Sequence, residues 1–173
     1  MTKVIRAMVG ATTSSSPLVA RPAPSRRAPA VLCLLFALAL AAPAAANAND
    51  KAMKTSMAKW SHRIAVDAHG IGLSASQRHP RRMMQRARLF RADALRARRA
   101  IAGQRPSTAR GRRARVLALA AFRDYMIVGR EWTLSGQARL QGKKRLASGH
   151  AAFAKQFATK GNRLLISSGR LLR

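Results

Sequence analysis

Acidic residues are the scarcest functional class in this chain: 5 Asp and Glu stand against 34 Lys and Arg in 173 residues, a net charge of +29. Five carboxylates leave little material for paired-acid catalysis or a carboxylate metal cage. Cysteine occurs once, so neither a disulfide framework nor a Cys-rich zinc site is available. Aromatics make up 5%, and β-branched residues are few with no alternating pattern, which argues against a β-sheet core. The hydrophobic fraction is nevertheless 48%, too high for a fully disordered basic tail. No apolar run reaches the roughly 20 residues that a membrane-spanning helix needs. The length fits one domain at most.

No acid precedes Asp50, so the first part of the chain is purely basic. Lys3, Arg6, Arg21, Arg26 and Arg27 are followed by the apolar run Ala30 to Ala42 and then by two A-x-A sites, at residues 44–46 and 46–48. A basic segment, a short apolar segment and small residues at a cleavage site form a secretory signal peptide pattern. Residues 1–48 are therefore expected to be a cleavable leader and residues 49–173 a single basic helical domain. Two alternatives stand beside this reading. Ser25-Arg26-Arg27 hints at twin-arginine export, although Pro29 and Ala30 match it poorly, and an acid-free leader also suits an organellar presequence. Cys33 lies inside the apolar run and follows Leu32, a poor context for a lipid anchor. Removing the leader would also remove the sole thiol.

The remaining body is rich in Ala, Leu, Met, Arg, Gln and Lys, which favour helix. It holds 29 Lys or Arg, 22 of them arginine, against Asp50, Asp67, Asp93, Asp124 and Glu131, a net of +24 over 124 residues. Breaks are expected at Gly70–Ser76, at Gly103–Thr108 and around Gly142, leaving four segments. The first runs from about Lys51 to His69, with Met53, Met57, Trp60, Ile64, Asp67 and Ile71 on one face. The second begins at Pro80, with Ser74 or Ser76 as nearby caps, and its seam is Met83, Ala87, Phe90, Ala94, Ala97 and Ile101.

The third segment follows Ser107-Thr108, either of which could cap it. Its seam of Leu119, Phe122, Met126, Gly129, Thr133, Gly136 and Leu140 is doubled by Ala118, Ala121, Tyr125, Val128 and Trp132, the width expected of a central helix. The fourth carries Leu146, His150, Phe153, Phe157, Gly161, Leu164, Ser168 and Leu171, and Gly161-Asn162 is a site where it could end or kink. These patterns predict an all-α, antiparallel up-down helical bundle of about four helices after the leader. The competing shape is a long hairpin over 108–172 with a looser front half.

No Ser-His-Asp order, HExxH, glycine-rich phosphate loop or CxxC is present, so no catalytic residue, metal ligand or cofactor is assigned and no small-molecule substrate is inferred. Residues 78–115 hold 14 arginines and one acid. This density is a polyanion footprint. The candidates are Arg78, Arg81, Arg82, Arg86, Arg88, Arg91, Arg96, Arg98, Arg99, Arg112 and Arg113. On the second helix they surround every side except the seam, which suits a solvated face as well as adhesion and does not suit the reading of one DNA groove.

Asp67 on a seam is expected either to pair with an arginine from a neighbouring helix or to lie beyond the helix end. His150 is expected to be a hydrogen-bonded core histidine. Gly129, Thr133 and Gly136 read first as a track for close helix approach and second as a groove for an apolar ligand. Trp60, Tyr125 and Trp132 read as core. The function expected is that of an exported, non-enzymatic, secreted or envelope protein whose partner is an anionic polymer or anionic membrane surface. The alternatives are a nucleic-acid-binding basic protein of a cell or organelle, and a membrane-active protein whose 80–102 helix lies in the interface.

Overall fold

The computed structural model describes the backbone of residues 31–173 and the side chains of residues 48–173. The basic segment at 1–30 and the side chains at 31–47, which include the whole A-x-A site at 44–46, lie outside the described residues. Four helices follow one another: α1 (Val31–Ser76), α2 (Pro80–Ala102), α3 (Ala109–Leu140) and α4 (Lys144–Leu171). The described residues form an all-α bundle and contain no strand. The front half also joins the bundle, α1 against α2 and α2 against α3, so the lone-hairpin alternative is not the observed shape.

α1 is longer than expected at both ends. It continues through Gly70 and Gly72 because the seam continues there: Ile71 and Ser74 are buried. The Ser74 and Ser76 hydroxyls donate to the carbonyls of Gly70 and Leu73 within α1, so they are not caps of α2. The helix ends in a Schellman turn. Arg78 adopts the left-handed conformation at φ 56°, and the His79 amide donates back to the Ser74 carbonyl at 3.0 Å. The α3–α4 turn repeats this device with Gly142 at φ 71° and the Lys143 amide on the Ala138 carbonyl at 2.9 Å.

α2 starts at Pro80 as expected, with His79 in the cap position and no side-chain cap. All six of its seam residues are buried, Met83, Ala87, Ala94, Ala97 and Ile101 completely. Its C-terminal carbonyls at Ile101 and Ala102 accept hydrogen bonds from the Arg115 guanidinium, a favourable placement of positive charge at that end. α3 is the central helix, packed along α2 on one side and α4 on the other. Phe122 is fully buried, and Tyr125 meets Phe90 and Phe122 edge-on with ring centroids 5.9 and 6.1 Å apart.

Glycines set the α2–α3 spacing. A Cβ on Gly129 would lie 2.7 Å from the Arg91 Cβ and 2.8 Å from the Ala87 carbonyl, and one on Gly136 would crowd the ends of Met83 and Met84. The small-residue track is thus a close helix contact, and α2 fills the space that an apolar ligand would need.

The fourth helix departs from expectation. Its buried positions are Ala147, Ala154, Gly161, Leu165 and Ser168, a stripe rotated about one position from the expected seam. Gly161 and Ser168 are shared, while Leu146 and Phe153 stay half exposed. The cause is a close approach of the α3 and α4 backbones. The Ser135 hydroxyl donates to the Ala147 carbonyl at 2.8 Å, and the Ser168 hydroxyl to the Ala114 carbonyl at 2.7 Å. Only small side chains fit between such backbones, so the bulky ones turn aside. Gly161-Asn162 neither ends nor kinks α4: Gly161 lies beneath Tyr125, whose hydroxyl donates to Asn162 Oδ1 at 2.6 Å.

These contacts fix the two ends. Met83 and Met84 of α2 meet Gly136 of α3 near the 77–79 and 141–143 turns. At the opposite end, the Ser168 hydroxyl of α4 also contacts Met57 Sδ of α1 at 3.4 Å. Successive helices therefore run antiparallel.

Candidate polyanion-binding surface

All five acids of the body fall in the described residues, and none is an exposed side chain. Asp67, Asp93, Asp124 and Glu131 are buried and Asp50 is half-buried. Every lysine and arginine from Lys51 onward is exposed except half-buried Arg115. Helical periodicity alone cannot produce this sorting. Each buried carboxylate lies at or beside a core seam, and Asp93, Asp124 and Glu131 draw basic groups towards themselves.

Asp93 receives Arg63 from α1 and Arg96 from its own helix, both at 2.8 Å. Glu131 Oε2 lies 2.7 Å from His150 Nδ1, so the histidine is hydrogen-bonded as expected, but it is half-buried and not inside the core. Lys160 approaches Asp124 Oδ2 to 3.6 Å, an ion pair without a hydrogen bond. Burial, reinforced by the charge on Asp124, raises the Tyr125 phenol above its ordinary value.

Asp67 does not make the expected pair. It is buried inside α1, 8% exposed, and its Oδ2 has no hydrogen-bond partner. Burial and the neighbouring Asp93 charge raise its carboxyl above the usual range, with Arg86 and Arg63 opposing the shift. The arginine that could have served it, Arg63, is bonded to Asp93.

Asp50 has a different role. Its carboxylate accepts from the Ser107 amide at 3.1 Å and from the Thr108 hydroxyl, while the Thr108 hydroxyl oxygen accepts from the Gly111 amide at 2.8 Å. Thr108 is thus the N-cap of α3, and α1 supplies the acid that α3 lacks in its own first turn. The first turns of α2 and α4 also lack acids, and neither helix has a side-chain cap.

All eleven candidate arginines are exposed, but they do not form one patch. Arg78, Arg81 and Arg82 lie at the α1–α2 turn. Arg86, Arg88 and Arg91 are spread along α2. Arg96, Arg98 and Arg99 lie towards the other end, where Arg112 and Arg113 begin α3. Two of the eleven have intramolecular partners: Arg96 holds Asp93, and the Arg112 guanidinium donates to the Ser107 carbonyl at 2.7 Å.

The antiparallel arrangement adds residues that composition alone did not single out. Lys143, Lys144 and Arg145 open α4 at the same end as Arg78, Arg81 and Arg82. Two uncapped helix N-termini, each loaded with bases, therefore share one end of the bundle. Positive side chains at the positive end of a helix dipole are unfavourable, by about 0.3–1 kcal/mol each at low ionic strength. Backbone strain adds to this, because a left-handed non-glycine residue such as Arg78 costs roughly 1–2 kcal/mol. An anion at this end would relieve the charge penalty, while the Arg78 conformation belongs to the turn that ends α1. The visible signal was the Lys-Lys-Arg run, which a reading focused on arginine density passed over.

No protein family, curated protein or solved structure matches this chain. The surface itself has to carry the functional reading.

An open depression of about 810 Å³ lies beside this end, lined by Glu131, Lys143, Lys144, Arg145, Leu146, Gly149, His150 and Phe153. Its lining holds no serine, threonine or cysteine. Exposed His62 and His69 belong to no metal-binding group, and among the described residues no cluster of three His, Cys, Asp or Glu side chains could hold a metal ion. No described helix is long and apolar enough to cross a membrane.

Proposed function

We propose that this is an exported, non-enzymatic protein that adheres through its cationic surface to anionic material of the cell envelope or the extracellular space. The inward placement of all five acids carries the reading. A solvated charge shell gains by interspersing signs, whereas a shell of one sign repels itself and attracts polyanions. The face best suited to bind is the end bearing Arg78, Arg81, Arg82, Lys143, Lys144 and Arg145. It lacks the intramolecular partners of Arg96 and Arg112. The basic charge extends around the bundle and forms no single ridge that would enter one groove, so adhesion to charge density is favoured over sequence reading. The export reading rests on the leader pattern in residues 1–48.

The test is a salt titration against double-stranded DNA, an acidic polysaccharide and anionic vesicles, with N-terminal sequencing of the chain recovered from its host. Affinity should fall log-linearly with salt. Neutralising the six named bases to Gln should shallow the slope by about 0.7–0.9 for each base that no longer neutralises a phosphate. A chain that ignores all three probes at about 50 mM salt overturns the proposal. An intact N-terminus would instead remove the export part and leave an internal nucleic-acid-binding role.

A further inference from the structure

The apolar residues that α4 turns away from the core need a reason to be where they are. Leu146 is 51% exposed and Phe153 47%, and Phe157, one turn further and packed partly against the core, has its ring 4.9 Å from that of Phe153. At helical spacing these three share one face, over about 16 Å of helix. α2 offers no comparable face. Its seam is consumed by the core, and Leu89 is its one exposed large apolar side chain. The 80–102 helix is therefore the weaker candidate for an interfacial helix, although it holds more arginine.

Basic residues surround the α4 face. After Glu131 the chain contains nine Lys and Arg and no acid. Lys143, Lys144 and Arg145 share the open depression with Leu146 and Phe153, and the Lys160 ammonium lies 5.7 Å from the centre of the Phe157 ring. Such a surface selects its occupant by charge. A second copy of the chain would bring the same bases to the same place and be repelled, and a soluble polyanion would satisfy the bases while leaving the apolar side chains in water. An acidic phospholipid surface satisfies both.

We infer that α4 is a membrane-interface helix, with Leu146, Phe153 and Phe157 entering the acyl boundary of an acidic bilayer and Lys143, Lys144 and Arg145 engaging headgroup phosphates. The inference rests on the cationic-adhesion reading and narrows it to one partner and one face. The helix lies in the interface and does not span it. Lysine is suited to the edge of such a contact, since its stem lies along apolar surface while its ammonium reaches the headgroups.

The experiment uses the full chain with a tryptophan probe at Phe153→Trp or Leu146→Trp, compared with the parent chain and with Leu89→Trp on α2. Vesicles of phosphatidylglycerol and phosphatidylcholine carry bromine-labelled acyl chains as a short-range quencher. The 153 and 146 probes should lose emission on acidic vesicles and keep it on pure phosphatidylcholine, while the 89 probe stays bright on both. Trp60 and Trp132 also emit, so the parent chain sets the baseline, and only the loss in excess of the parent's reports lipid contact at the probe. In the Phe153→Trp chain, changing Lys143, Lys144 and Arg145 to Gln should raise the lipid concentration for half-quenching at least about tenfold, since each base near an acidic surface contributes on that scale. Adsorption with both α4 probes unquenched, or equal quenching at position 89, overturns the inference and leaves adhesion intact. Binding to DNA but not to acidic vesicles does the same. Binding to neither removes both readings.

Discussion

Replacing Gly111 with alanine should destabilise this chain, and the same replacement should stabilise it once Asp50 has been changed to alanine. The sign change follows from geometry at the start of α3. A Cβ on Gly111 would lie 2.6 Å from Asp50 Cγ and Oδ2, inside the carboxylate. The carboxylate must then leave, giving up its bonds to the Ser107 amide and the Thr108 hydroxyl. Loss of a cap costs about 1–2 kcal/mol, and alanine in a helix recovers at most about 1 kcal/mol relative to glycine. The net loss for Gly111→Ala in the parent chain is about 0–1.5 kcal/mol. Asp50→Ala alone should cost about 1–2 kcal/mol, because it removes the only acid near the α3 N-terminus.

With the carboxylate already gone, the three atoms that crowd the added methyl are removed. Gly111→Ala should then return about 0.5–1 kcal/mol, giving a coupling of about 1–2 kcal/mol between the two positions. Urea unfolding followed by circular dichroism, at one fixed salt concentration, measures all four corners of the cycle. If Gly111→Ala has the same sign in both backgrounds, or the coupling is below about 0.3 kcal/mol, Asp50 does not cap α3.

Three further outcomes are expected. Asp67→Asn should be neutral or stabilising at neutral pH, because it removes a buried charge whose Oδ2 has no hydrogen bond. The folded-state pKa of Asp67 is raised, so the carboxylate costs stability above that pKa and the cost fades as pH falls through it. The advantage of Asn over Asp should shrink along the same path in parallel urea titrations, and an advantage that grows on acidification would contradict the assignment. Gly129→Ala should lose about 1–3 kcal/mol of stability, because the methyl meets the Ala87 carbonyl and the Arg91 stem; an unchanged midpoint would mean that α2 and α3 are not in close contact. The melting temperature should rise with ionic strength, since no exposed acid offsets the basic shell, and a flat or falling trend would show that the shell does not repel itself.

The bundle was legible in the sequence where burial follows one periodic row of bulky side chains. The seams of α1 and α2 were readable residue by residue, including the awkward placement of Asp67, because apolar residues recur there at helical spacing with arginines between them. The central role of α3 was likewise visible in the breadth of its apolar surface. α1 ran past its expected end because a serine that bonds back within a helix and one that ends it are the same letter. The phase of α4 departs from its row of bulky side chains because at this contact the interior belongs to Ala147, Ala154, Gly161 and Ser168.

By itself the sequence determined the charge imbalance, the helical class, the leader pattern and the positions of the second and third turns, since these depend on composition and local spacing. The tertiary structure decided which groups meet. It turned the five acids inward, joined the Lys143–Arg145 run to Arg78, Arg81 and Arg82 at one end, and left an apolar face on α4 beside those bases. Each of these depends on the rotation of one helix against another, which is set by side-chain packing and backbone approach between residues far apart in the chain.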